Sequence, residues 1–238
     1  MKRKYNTFEL ETNLAEVFRK IVDDFKKLLP AFKMLDIPLA NGVGEGELVI
    51  NYNAVIFNGK RRCKHGSSKK LTIPWPDDDI IPLFPASDPE KAVSGTWFAG
   101  DLLRQRACSG DDCSYETFYF PRIEEDGLVI GPITYYDMNG KPVYHDKRVV
   151  GKIFNFCKTA FRPYDLAVIS FLIIAKHYLG DEIIIHTDGE YQHWMDGFYL
   201  CQDQLGYGAE YTIENGELVI GDKPKVIFLR GDRSDYAR

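Results

Sequence analysis

The chain predicts an α+β fold in which a mainly antiparallel sheet surrounds one buried central helix and is joined by two amphipathic helices. Three observations predict it. Residues 163–179 are apolar on nearly every face (Leu166, Ala167, Val168, Ile169, Phe171 to Ala175), and a helix without a polar face has to be covered on all sides. Short strand-like runs recur, several of them beside Asn-Gly (Asn58-Gly59, Asn139-Gly140, Asn215-Gly216), the dipeptide that tolerates the positive φ of tight hairpins. Two further stretches, 13–30 and 187–205, place apolar residues at helical spacing.

In chain order, residues 5–10 suit an opening strand, and Asn13 with Glu16 three residues on starts a helix whose stripe runs Leu14, Val17, Phe18, Ile21, Val22, Phe25, Leu28 and Leu29. Pro30 is expected to stop it. Residues 47–57 alternate as a strand, turned by Asn58-Gly59 into the basic return segment 60–65, with Lys69-Lys70 beyond. Five prolines and the run Asp77-Asp78-Asp79 make 74–93 an extended crossing loop. That loop is the one candidate internal boundary in an otherwise single domain of residues 1–238. Strands are expected at 96–98, 115–120, 128–136, 141–144, 153–156, 182–186, 210–213, 217–220 and 226–229. The central helix should start at Pro163 and stop at Gly180 after the cations Lys176 and His177. Thr187 and Glu190 have capping-box spacing, so the last helix should begin there, bury Tyr191, Trp194, Met195, Phe198, Cys201 and Leu205, and leave His193 and Asp196 in water.

At 238 residues the chain is long enough to bury a substantial core. No secretory signal or membrane span is visible, and the cytoplasm is the expected compartment. A net charge of −5 disfavours general nucleic-acid binding. Five cysteines in a chain this long read as reduced thiols or metal ligands rather than a disulfide scaffold.

Chemistry has three candidate seats, one of them the group His186, Asp188, His193 and Asp196, whose density of histidine and aspartate suits a hydrolytic metal site although His193 and Asp196 are expected to face water. The turn 157–162 brings Lys158, Thr159 and Arg162 to the start of the central helix, where free amides and the dipole favour an anion, and Arg122 from a neighbouring strand end would assist. A small phosphate-like or nucleotide-like ligand is therefore the first expectation for function. The alternative is catalysis at a phosphate or acyl bond, either with Cys157 as nucleophile and His186 as its nominated partner or through the pair His186 and Asp188. Cys63 and His65 with Cys108 and Cys113 are four soft ligands in two local pairs, suited to a structural zinc. Finally, the basic segment 60–70 is a candidate contact for an acidic protein partner.

Phe156-Cys157-Lys158-Thr159, Pro163-Tyr164-Asp165, residues 170–180, Asp188-Gly189, Trp194 and Gly197, with Glu116-Thr117-Phe118 and Pro121-Arg122 upstream, resemble a pattern found in uncharacterised proteins of phages, prophages and bacteria. It spans about the second half of the chain. The resemblance implies a viral or mobile-element origin and a host-interaction role, and it assigns no catalytic residue.

Overall fold

The computed structural model describes residues 7–65, 106–123 and 127–221, with side chains from Leu14 onward. The expected loop 74–93, Lys69-Lys70 and the strands at 96–98 and 226–229 lie outside the described residues. The architecture is α+β, and every strand pair is antiparallel.

Helix α1 (Thr7–Met34) starts earlier and ends later than expected: residues 7–10 are helix rather than strand, and Pro30 lies inside it. Proline removes one backbone bond, at a cost of about 3 kcal/mol in a helix interior. Ala31, Phe32 and Leu35 are buried just beyond it, and their transfer from water offsets that cost. The helix then ends in a Schellman turn: Ile37 N–H reaches Phe32 O at 2.9 Å, Asp36 N–H reaches Lys33 O at 3.1 Å, and Asp36 is left-handed at φ 57°.

The expected strand 47–57 is two strands, β2 (Val49–Ile50) and β3 (Ala54–Gly59). The turn between them is built by Asn51, whose Oδ1 accepts from the amides of Asn53 and Ala54. Strand β3 is the hub of the main sheet, pairing with β1 (Leu39–Ala40), β2 and β4 (Phe118–Pro121). Asn58-Gly59 is therefore the end of β3 and not a hairpin turn. Asn58 is buried, donating to the carbonyls of Gly42 and Tyr115, and a Cβ on Gly59 would stand 1.8 Å from Cys113 O. Glycine is required here so that the 113 backbone can lie against β3.

Residues 128–136 also divide, at Gly131-Pro132, where proline has no amide for a ladder. Strand β5 (Leu128–Val129) pairs with β8 (Ile153–Phe154), while β6 (Ile133–Tyr136) and β7 (Pro142–Tyr144) form the hairpin expected around Asn139-Gly140.

Helix α2 (Asp165–Leu179) is the buried rod the composition demands; it packs on α1 and on α3 (Tyr191–Leu205). Its Phe171 ring meets those of Phe25, Phe118 and Phe120 at centroid distances of 5.2, 5.0 and 5.0 Å, joining α1, the sheet and α2 in one aromatic cluster. Pro163 does not open this helix. Tyr164 is the residue before it, fully buried, with its hydroxyl donating to Glu116 O and Lys158 O. Asp24 of α1 is a polar tie among the helices, accepting from Tyr178, Tyr207 and Lys27. Burial pushes its pKa up, but those three donors outweigh burial and hold it below the usual carboxylate value.

The expected strand 182–186 is absent. Gly180–Glu182 is a 3-10 turn, and the following residues dock on β10 (Glu217–Ile220) through Leu218 N–H to Ile185 O and Thr187 N–H to Gly216 O. The cap of α3 also shifts by three residues. Glu190 and His193 satisfy each other's free amides, whereas Thr187 Oγ1 accepts from Gly189 N–H and Trp194 Nε1–H. The hairpin of β9 (Tyr211–Glu214) and β10 turns at Asn215-Gly216 as expected, with φ of 51° and 77°.

Replacing Gly59 with alanine should cost roughly 3 kcal/mol, because the new methyl meets backbone that no rotamer change can move. The midpoint and slope of urea unfolding check this; an unchanged midpoint would mean that the 113 backbone does not lie where described.

Candidate metal centre

Three local features bring four soft donors together. Gly59 admits the 113 backbone, and Cys113 N–H bonds Lys60 O at 3.0 Å. Next, Cys63 N–H bonds Asp111 O at 3.2 Å, and Arg61 and Asp112 form an isolated bridge, so residues 60–65 run against 108–113 instead of returning as the hairpin strand expected of them. The tight loops need left-handed residues at Arg62, Lys64, Gly110 and Asp111. Lys64 N–H also caps the Asp111 carboxylate.

The outcome is a cluster in which one donor atom each from Cys63, His65, Cys108 and Cys113 lies within 4.8 Å of all the others. Cys63 Sγ is 3.3 Å from Cys108 Sγ and 3.4 Å from Cys113 Sγ, and His65 Nδ1 is 3.2 Å from Cys113 Sγ. All three thiols are free. A zinc–thiolate tetrahedron with bonds of about 2.3 Å has edges of roughly 3.8 Å, so the sulfurs would part by about 0.4 Å to admit the ion. The donor set and the burial both fit a divalent soft metal, and the four residues could hold one such as zinc. Burial pushes the thiols of Cys63 and Cys113 above their ordinary value, and the His65 amide directed at the Cys63 sulfur pulls the other way. A bound dication would reverse that upward shift, since a coordinating thiol is deprotonated outright.

The other candidate seats are arranged differently. Asp165 occupies the first turn of α2 with its own carboxylate, and Thr159 donates its hydroxyl to Asp165 Oδ1. The dipole end expected to face an anion is thus already faced by an acid. Lys158 is exposed, with its amide held by Glu116, whereas Arg122 reaches Asn53. Glu116 precedes β4 and Arg122 follows it, so these two anchors lie at opposite ends of the strand. Arg162 Nε is buried without a hydrogen-bond partner. Burial pushes the Cys157 thiol up to about 12, the direction opposite to that of an activated nucleophile. His186 is exposed, bridged to Glu217 and close enough to Asp146 to help Arg148 hold that carboxylate low; Asp188 is exposed.

A deeply buried charge cluster that periodicity does not predict joins α2 to α3. Arg106 lies between two carboxylates, donating from Nε to Asp165 at 2.8 Å, from one amino group to Asp196, and from the other to His193 O at 3.0 Å. Asp196 is 1% exposed, not in water as its helix position suggests. Gly197 is the signal that was available: a Cβ there would stand 2.3 Å from Ile169 Cγ2, so α2 and α3 approach closely and enclose the adjacent aspartate. Burial, only partly countered by Arg106, pushes the Asp196 carboxyl up to about 6.

Among the described residues, no helix is long and apolar enough to cross a membrane. Comparison with family models, curated proteins and solved structures finds no match.

Because the folded state keeps the Asp196 proton up to about pH 6 and the unfolded chain releases it near 3.8, the fold binds more protons in that window and loses stability as pH rises through it. Asp196→Asn cannot ionise, so the stability of the native protein relative to this variant should fall by roughly 2–3 kcal/mol between pH 4 and pH 7. Urea titrations of both proteins at several pH values measure it, and a constant difference would contradict the assignment.

Proposed function

We propose that this chain is a zinc-clipped binding protein. One Zn2+, held by Cys63 Sγ, His65 Nδ1, Cys108 Sγ and Cys113 Sγ, locks the end of β3 to the segment that leads into β4. The observation that carries this reading is the convergence of four donors whose chain separations reach 45 and 50 residues. Four protein ligands leave no coordination position for water, so the ion's role is structural. Local charge supports it. Three thiolates around Zn2+ carry net −1, and the flanking Lys60, Arg61, Arg62 and Lys64 exceed Asp36, Asp111 and Asp112 by one charge (4 − 3 = +1). The basic run thereby acquires a reason that does not require an anionic ligand.

Protein purified without chelator should contain close to one equivalent of zinc by elemental analysis, and Cys108→Ser should contain far less. Stripping the metal should lower Tm by roughly 10 °C or more, which corresponds to about 3–4 kcal/mol in a chain of this size. Less than half an equivalent, or a Tm indifferent to chelation, would sink the proposal.

A second reading concerns what the clipped scaffold holds. Leu128, Val129, Tyr135, Tyr136, Tyr144 and Phe156 are 57% to 71% exposed, an unusual density of large apolar side chains in water. Over residues 127–158, Lys141, Lys147, Arg148, Lys152 and Lys158 outnumber Asp137 and Asp146, giving 5 − 2 = +3 in a chain of −5. Exposed apolar side chains interspersed along the chain with cations suit an acidic protein partner with an apolar centre. It also agrees with the host-interaction role the resemblance implies. A photo-crosslinking residue at Tyr136 should yield an adduct that one at Lys33, an exposed position in the last turn of α1, does not. The protein captured, once purified, should bind Lys141→Glu/Lys147→Glu at least about tenfold more weakly. Equal adducts at both positions, or binding unaffected by charge reversal, would count against this surface.

A further inference from the structure

We infer that Asp36 is the outer carboxylate of the metal centre, a positioning residue that orients His65 and couples the end of α1 to the ion; the inference rests on the zinc reading above. Asp36 Oδ1 lies 3.3 Å from His65 Nε2, while Nδ1 of the same ring faces Cys113 Sγ at 3.2 Å. A neutral imidazole has one N–H. Donation from Nε2 to Asp36 places the lone pair on Nδ1, the atom directed at the cluster, and holds the ring in that orientation.

The backbone at this position makes the aspartate informative. Asp36 is the left-handed residue of the Schellman turn, at φ 57°, a site where glycine is the usual occupant. The turn is closed by its two backbone bonds and flanked by the buried Phe32 and Ile37. A glycine would therefore suit the helix end better, and a carboxylate there is explained by what it touches. His65, with its side chain 8% exposed, is otherwise enclosed, whereas the Asp36 side chain is 57% exposed and so acts on the centre from its solvent edge.

Asp36→Gly separates the two roles, because it relaxes the backbone and deletes the carboxylate. Competition of the full-length protein against a chromophoric chelator should show zinc affinity reduced about tenfold, the lower end of the range for lost outer carboxylates. Thermal unfolding of the metal-free variant should be unchanged or shifted upward. Asp36→Asn keeps both the left-handed tolerance and an acceptor oxygen, so its loss should be smaller, about threefold. The Co2+-substituted variants should keep the absorption of a tetrahedral thiolate site. Wild-type affinity in Asp36→Gly overturns the inference and leaves the zinc centre standing. Weaker binding matched by lower stability of the metal-free protein also overturns it, since the effect would then be one of folding. A native protein that holds no zinc overturns both readings.

Discussion

A helix with no polar face imposes the constraint on which the described structure depends. Eight of the fifteen residues of α2, all between Leu166 and Ala175, are buried in the hydrophobic core, with Leu172 packed partly covered against it, and they have to be enclosed from several directions at once. Helix α1 covers one side with Phe25, α3 approaches at Gly197, and the sheet supplies Phe118 and Phe120. Each of those elements is amphipathic and would be marginal alone. Their apolar faces are buried because α2 is there to receive them.

The ends of that rod bring polar groups into the interior, and each is answered locally. At the start, Asp165 is met by Thr159 and by Arg106, which also binds Asp196 of α3. At the finish, Lys176 donates to Ile183 O and pairs with Asp181. Burial raises the Asp196 pKa, the one guanidinium shared between two carboxylates counters it only in part, and Asp196 Oδ1 has no hydrogen-bond partner. At the turn 157–162, the Thr159 hydroxyl and the Lys158 backbone amide already serve the acids Asp165 and Glu116.

Away from the rod, the sheet is small and its strands are short, and the cysteine–histidine cluster lies where apolar burial gives out. Cys63 and His65 leave β3 as Cys108 and Cys113 approach β4, so a single ion would close the loop between two paired strands. Through His65 and Asp36 the same centre would reach the last turn of α1, joining the cluster to the helix that the aromatic core also holds.

Local periodicity and composition account for part of this fold. The apolar rod, the stripe of α1, the turns at Asn139-Gly140 and Asn215-Gly216 and the four soft ligands were all legible, because each depends on residues close in the chain or on donor chemistry that does not change with context. Tertiary structure decided the rest. Pro30 stays inside a helix because Ala31, Phe32 and Leu35 find a core beyond it; Asn58-Gly59 ends a strand because another backbone lies against the glycine; Asp196 is buried because Gly197 lets two helices close over it. Residues 182–186, which look like a strand, irregularly edge a hairpin, since only Ile185 and His186 pair with β10 while the carbonyls of Glu182 and Ile183 accept from Lys152 and Lys176. In each case the deciding energy came from a segment distant in sequence, and periodicity along the chain carries no record of which segment that will be.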